Sequence, residues 1–494
     1  MLIRRISLLL LIVVMATFGS TAATSASNHG QGRAGDAVPD SYIISLVDGA
    51  SVDDVAAAHS ITKGHVFNAV FNGFSATVPP GLLKQLQNDP NVAAVNPNRI
   101  VSIDAKPEKP GGGGKGKNKA PTVEITAPTP GTFGSGASIS FAGNASDPED
   151  GDLTTSLAWT SDIDGSIGSG GSFSAVLNDG SHTVTASVTD TGGKQGSASI
   201  SITVGDVPEP SNQVVPSGVA RIGAAPGNLT ETGQGVGVAI IDTGLDYAHS
   251  DIEPGIECFG VTAYGTCQDG HGHGTHVGGT VAALDNLSDV VGVAPDATLY
   301  GVKVLADDGY GDDAIVIAGL DWVAANAGLV DPNIRVANMS LGRPASSNPA
   351  DDEPMRAAIQ AVVAAGVTVV TSAGNDASVE AIDKVPAGFP EVISVASVTA
   401  EDGKGSRCGQ IFADTASYFT TDGSTITISA PGENKEDVKG CQIRGVGILS
   451  LNVGGGTTRK SGTSMASPHV AGVAARCGSR QASGLWRPQM SRVV

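Results

Sequence analysis

The sequence predicts a multidomain protein: an α/β domain on a doubly wound parallel sheet, preceded by a ferredoxin-like α+β module and an immunoglobulin-like β-sandwich. Three observations lead there. Beyond residue 236, short apolar runs bounded by Gly, Asp and Pro alternate with helical stretches, the pattern of strands buried on both faces. Residues 40–104 read β-α-β-β-α-β, the split βαβ order. Residues 121–205 alternate apolar and polar over several short runs separated by Gly, Asp and Asn. A chain of 494 residues also exceeds what one hydrophobic core usually serves.

The elements follow in chain order. Arg4 and Arg5, the apolar run Leu8 to Val14 and the small residues Thr21 to Ala26 predict an export signal over 1–26, hence a secreted protein. The apolar run is shorter than the roughly 20 residues a spanning helix needs. In 40–104, strands are expected at Tyr42 to Val47 and Val92 to Val101, and helices at Val52 to His59 and Leu82 to Gln87. Phe67 to Val78 reads as a strand pair turning at Asn72-Gly73. Residues 105–120, all but free of side chains to bury, form a Gly/Lys/Pro linker. In 121–205, strands are expected around Val123, Ser138, Ser156, Thr183 and Ser199, with Trp159 as core aromatic. In 213–494, strands are expected at Val236 to Ile241, Leu299 to Val304, Val336 to Met339, Val367 to Ser372 and Val392 to Val395. Helices at Asp313 to Asn326 and Pro354 to Ala365 lie between them. Reactive groups belong at the carboxyl ends of such strands.

Composition narrows the function. With 29 Lys+Arg against 49 Asp+Glu the formal charge is -20, which repels phosphate backbones and anionic membranes. No nucleic-acid or membrane partner is expected once the signal is removed, and a monomer suffices. Five cysteines in an exported chain point to disulfides. Cys258 and Cys267 bracket a turn-rich loop and are the first expected pair; Cys408 with Cys441 is the second, leaving Cys477 over.

Four features fall at strand ends or helix starts. Val238-Ala-Ile-Ile-Asp242-Thr-Gly244 delivers a carboxylate into a Gly turn. His271-Gly-His273-Gly-Thr-His276 surrounds an imidazole with unobstructed backbone at the start of a helix. Its H-x-H-x-x-H spacing also suits a zinc hydrolase, in which bound water is the nucleophile. Ala373-Gly374-Asn375 follows a strand and offers an amide donor for a developing oxyanion. Gly462-Thr-Ser464 presents a hydroxyl at a helix N-terminus, where its own N–H stabilises negative charge. Pro468 is expected in the first turn of that helix.

Taken together, in the order Asp, His, Ser, these blocks resemble the active-site blocks of the subtilase family. Asn338-Met-Ser340-Leu341-Gly342 is similar to the family's substrate-pairing strand, and Tyr42-Ile-Ile, Phe71-Asn-Gly-Phe74 and Asp89-Pro-Asn-Val92 to its inhibitor-type propeptide. The resemblance implies a secreted serine endopeptidase made as a zymogen, with Asp242, His273 and Ser464 as catalytic triad and Asn375 with the Ser464 amide as oxyanion donors. It implies polypeptide substrates held between Gly309-Tyr310-Gly311 and Ser340-Leu341-Gly342, and the chain's own propeptide as intramolecular inhibitor. It further implies a structural Ca2+ held by Gln213, Asp251 and the loop residues Leu284, Asn286, Ser288 and Val290. The resemblance also allows Lys384 a place near the base of the pocket for the residue before the scissile bond, with an exposed surface lysine as the preferred reading.

Two departures from the family pattern stand out. The sandwich separates the propeptide-like module from the α/β domain, so the processed bond is expected either near Ile103 to Lys106 or near Val207 to Gln213. From Arg476 onward the chain is basic, without Asp or Glu, and reads as truncated or out of frame after about 475. A catalytically inactive remnant, or a peptide-binding protein, is therefore the competing expectation to an active protease.

Overall fold

The computed structural model describes residues 32–103, 121–128, 131–147, 150–205, 213–228, 230–252 and 266–482. The expected signal and linker, Cys258 and the end of the basic tail lie outside them.

The first module runs β1 (Ala37–Leu46), α1 (Val52–Ala58), β2 (Lys63–Phe67), β3 (Gly73–Thr77), α2 (Pro80–Gln87) and β4 (Val92–Ile103). Its strands pair in the order β2-β3-β1-β4, all antiparallel, as two interleaved βαβ halves require. Ser51 starts α1 by accepting the Asp54 N–H on its hydroxyl. One expectation fails here: β2 ends at Phe67, so residues 68–72 are a loop rather than the second half of a hairpin arm. The reason is tertiary. The Asp321 carboxylate accepts the N–H groups of Asn68, Ala69 and Val70 at 2.6–2.9 Å, which takes three backbone donors away from any strand ladder. Val70 is buried in the core of the third module.

The second module comprises β5 (Thr122–Ala127), β6 (Gly131–Phe133), β7 (Ser138–Asp147), β8 (Gly151–Asp152), β9 (Ala158–Ser161), β10 (Gly165–Ser169), β11 (Ser172–Val176), β12 (Gly180–Thr189) and β13 (Gln195–Val204). They form one sheet ordered β10-β9-β12-β13-β6 and another ordered β11-β7-β5, with β8 on β7. Inward residues of both sheets share a core around Ile139, Phe141, Trp159, Val184 and Ile202. Trp159 is fully buried and donates its indole N–H to the Gly170 carbonyl at 3.0 Å, so its one polar atom is satisfied.

The third module contains α3 (Ser217–Arg221), β14 (Gly237–Asp242), α4 (His273–Ala282), β15 (Thr298–Lys303), β16 (Tyr310–Asp312), α5 (Asp313–Asn326), β17 (Ile334–Met339), β18 (Leu341–Pro344), α6 (Glu353–Ala364) and β19 (Thr368–Ser372). It continues with β20 (Lys384–Val385), β21 (Ile393–Thr399), β22 (Ile428–Glu433), β23 (Lys435–Lys439), β24 (Gln442–Val446), β25 (Ile448–Leu451), β26 (Thr457–Lys460) and α7 (Thr463–Ala482). Six strands form a wholly parallel sheet in the order β15-β14-β17-β19-β21-β22. One apolar core includes residues of α5 and α6; a second includes residues of α4 and α7. Central strands such as Val238 to Ile241 are fully buried, because helices on both faces leave no wet side for polar alternation. β22 carries no apolar run and escaped the sequence reading.

The first and third modules share a sheet. β4 pairs antiparallel with β16 and with β18, and β18 pairs with β20. Ile43, Phe67, Val70 and Val101 of the first module are buried in one cluster with α5 and α6. Polar contacts fix the docking: Asn98 accepts the Ala314 N–H at the start of α5 at 3.0 Å, and Arg99 pairs with Asp351 at 2.7 Å.

Candidate active site

The parallel sheet ends β14 at Asp242, which is fully buried. Burial of a carboxylate is tolerable only with hydrogen-bond partners. Oδ1 accepts the Thr243 N–H at 2.7 Å, and His273 Nδ1 donates to Oδ1 and Oδ2 at 2.8 and 3.0 Å. His273 is the first residue of α4.

Its position depends on a residue the sequence reading passed over. Asp269 accepts from the Thr243 hydroxyl and the N–H groups of His271 and Gly272 on Oδ1, at 2.8–2.9 Å. Its Oδ2 accepts the Thr275 N–H and hydroxyl at 2.8 and 2.7 Å. A single buried carboxylate thus ties the loop, the first turn of α4 and the end of β14 together. An Asp directly before the Gly-His-Gly-His run was the available signal. The helix also needs Gly274: a β-carbon there would stand 2.1 Å from the Gly244 carbonyl oxygen.

Ser464 is the second residue of α7. Its hydroxyl donates to the Ser340 carbonyl at 3.4 Å, a long bond that a substrate can displace; among the described residues no hydrogen bond joins it to His273. Helix α7 begins at Thr463, so Pro468 lies inside it and not in its first turn, as expected from sequence. Proline has no N–H to give the Ser464 carbonyl four residues back. The Ser340 hydroxyl supplies it instead, at 3.0 Å from Ser464 O, and is itself bonded by the Asn338 amide at 2.9 Å. The cost of the proline is thereby met by the neighbouring strand.

Asn375 follows β19. Its Oδ1 accepts the Thr463 N–H and hydroxyl at 2.8 and 3.0 Å, which turns the NH₂ group the other way. Nδ2 lies 3.1 Å from the point where Gly462 would carry a β-carbon, and Gly462 has φ +152, a clearance and a backbone conformation that suit glycine.

The three histidines do not converge. His276 is fully buried, donates Nε2–H to the Ile448 carbonyl at 3.0 Å, and has its pKa lowered to about 3 by burial. His271 is half-buried, its pKa lowered by burial and then by the charge of His273. Among the described residues no three His, Cys, Asp or Glu side chains are placed to share a metal ion. The zinc arrangement receives no geometric support.

The strands read from sequence as substrate-binding do meet a peptide segment, and it is the chain's own. Tyr310 lies opposite Ser102, Gly311 opposite Val101, Gly342 opposite Ser102 and Leu341 opposite Ile103. Gly309 accepts the Ile103 N–H at 3.0 Å. Lys384 differs from expectation: it is half-buried, and its Cε lies 3.5 Å from where a β-carbon on Gly374 would stand.

Part of the expected calcium set also gathers. Gln213 Nε2 reaches the carbonyls of Leu284 at 2.5 Å and Val290 at 3.3 Å. Asp251 accepts the Val290 N–H on Oδ2 at 3.3 Å, while Oδ1 is buried with no partner. Burial, with Asp289 nearby, pushes its pKa up to about 7. Asn286 and Ser288 are exposed and bond each other. Cys408 and Cys441 form a disulfide, Cys267 is disulfide-bonded, and Cys477 is free and exposed. Helix α7 runs past Ala475 to Ala482, and buried Arg476 donates to the carbonyls of Val293 and Ala224.

Two of the chain's modules resemble known families. The model described as "Subtilase family" matches residues 233–494, and "Peptidase inhibitor I9" matches residues 16–104. Subtilisin E of Bacillus subtilis (strain 168) is 37% identical over 267 residues, covering 53% of this chain and 61% of that protein. Subtilisin of Bacillus pumilus is also 37% identical over 267 residues, with 84% of its length covered. The chain therefore spans about three fifths of the Bacillus subtilis relative. Among solved structures, a cold adapted subtilisin-like serine proteinase aligns at 34% identity with a TM-score of 0.39, over 51% of this chain and 78% of that one.

Proposed function

The chain belongs to the subtilase family, and from that premise we propose that it is a secreted serine endopeptidase made as a zymogen. Ser464 Oγ attacks the scissile carbonyl while His273 Nε2 takes its proton and then gives it to the leaving amine. Asp242 holds the imidazole with its proton on Nδ1 and stabilises the charged form. Asn375 Nδ2 and the Ser464 N–H receive the oxyanion. Water then hydrolyses the acyl-enzyme by the same proton path in reverse. The observation that carries this reading is β4: an extended segment lies between β16 and β18 in a register that runs toward Ser464. A fluorophosphonate should label Ser464 of the folded, processed chain; absence of label would leave the inactive-remnant reading in its place.

The first module acts as propeptide and inhibitor on this reading, since β4 fills the strand positions a substrate needs. The processed bond then lies just past Ile103, and not in 207–213. The module of 121–205, read as an immunoglobulin-like sandwich, stays on the mature enzyme as its N-terminal domain. N-terminal sequencing of the mature chain should find a start between Asp104 and Lys106; a start in 207–213 would overturn this placement. Secretion rests on residues 1–26; among the described residues no helix is long and apolar enough to cross a membrane.

A calcium ion fits the Gln213–Asp251 cluster. Rotating the Gln213 amide by half a turn puts its oxygen beside the two carbonyls, and Asp251 Oδ1 is an unpartnered buried acceptor. Leu284 and Val290 would contribute carbonyls, and Asn286 its side-chain oxygen, while Ser288 is exposed. A bound ion would brace the loop 284–290 against the end of α4. Millimolar calcium should raise the thermal midpoint of wild type by several degrees over chelator, through stabilisation on the order of 2–4 kcal/mol. Asp251→Asn should lose most of that gain; an equal gain in the variant would refute the site.

A further inference from the structure

The register of β4 defines where a bound peptide reacts. Leu341 lies opposite Ile103. One more residue in the same antiparallel register comes opposite Ser340, whose carbonyl accepts from Ser464 Oγ. A substrate strand lying as β4 lies thus brings the carbonyl one position beyond Ile103 level with the nucleophile. The Ile103 side chain packs toward Gly309, on the side of His271. By the alternation of a strand, the next side chain points to the opposite wall.

That wall is made by the turn after β19 and by β20. Lys384, opposite Pro344 in the β18–β20 pair, lays its stem along Gly374, next to the oxyanion donor Asn375. A lysine stem packed along backbone in this way keeps its ammonium available to a polar partner. Asp376, whose carboxyl feels the Lys384 charge, is hydrogen-bonded elsewhere. Asp376 Oδ1 accepts from the Ser378 hydroxyl at 2.5 Å and N–H at 3.0 Å. Those bonds, ahead of the Lys384 charge, hold its carboxyl below the usual range.

We propose that Lys384 is a specificity-determining residue: its ammonium receives an acidic side chain on the residue whose carbonyl Ser464 attacks. The chain would then cut after Glu and Asp in preference to neutral or basic residues. Its own sequence agrees, since the residue that follows Ile103 is Asp104. This inference rests on the protease reading above.

The test uses four succinyl-tetrapeptide p-nitroanilides that differ only in the last residue: Glu, Gln, Phe or Lys. Glu and Gln are near-isosteres, so their ratio of kcat/KM isolates the charge. Wild type should favour Glu over Gln by about tenfold or more at moderate salt. Lys384→Gln should bring that ratio to about one, and Lys384→Glu should invert it and favour the Lys peptide. The inversion is a gain that mere misfolding cannot produce. Turnover of the Gln and Phe peptides with no Glu preference in wild type would end this proposal and leave the protease reading intact. A preference that survives in Lys384→Gln would end it equally. No turnover of any peptide by a folded, processed chain would end both.

Discussion

Replacing Ser464 by alanine should lower peptide hydrolysis by on the order of 10⁶-fold in kcat, the scale measured when the serine of subtilisin's triad is removed. The serine supplies the only atom that becomes bonded to the substrate on this reading. The neighbouring groups remain in place: Asn375 is held by Thr463, and His273 by Asp242. What survives is the contribution of binding and the oxyanion donors. The variant should fold normally, because Ser464 Oγ makes one long bond and the Ser340 hydroxyl bonds to the Ser464 carbonyl, which alanine retains. It should also remain an uncut precursor with the first module attached. Casein hydrolysis and the size of the purified chain are the measurements. Cleavage of casein by Ser464→Ala at a rate near the parent's would remove Ser464 from the mechanism.

Asp242→Asn should reduce kcat by about 10⁴-fold, the size of the same change in another serine-protease triad. The mechanism is a tautomer. Asp242 now accepts from two donors, the Thr243 N–H and His273 Nδ1–H. An asparagine must give its oxygen to one and its NH₂ to the other. The backbone N–H cannot turn round, so the amide oxygen faces Thr243 and the NH₂ donates to Nδ1. The imidazole proton is then forced onto Nε2, and the nitrogen that should accept the serine proton is occupied. A loss under tenfold at neutral pH, in a variant with unchanged thermal midpoint, would show that Asp242 does not set the tautomer.

Much of the α/β domain was legible because its strands are buried on both faces. Val238 to Ile241 and Val367 to Ser372 are runs that nothing but a covered sheet can accommodate, and their ends were placed within a residue or two. The Asp, His and Ser blocks were legible for a local reason: each sits in glycine turns that ordinary packing does not require. Asp269 was harder, since its role consists of bonds to residues 26 positions before it and 6 after it. The loop at 68–72 was misread because the feature that unmakes its strand, Asp321, lies about 250 residues away. For Lys384 the sequence offered both a surface position and a place near the base of the substrate pocket; the packing of β20 beside Gly374 gives it a wall to lie against.

By itself, then, the sequence determined which side chains could do chemistry, because strand burial and tight turns are written in neighbouring residues. Tertiary structure alone decided three further matters: that β4 enters between β16 and β18, that its register with β18 runs toward Ser340 beside Ser464, and that the Ser464 carbonyl left bare by Pro468 is bonded by Ser340 from 124 residues away. These are pairings between distant segments. Their energy comes from contacts that exist only after the modules close on one another, and no local periodicity encodes them.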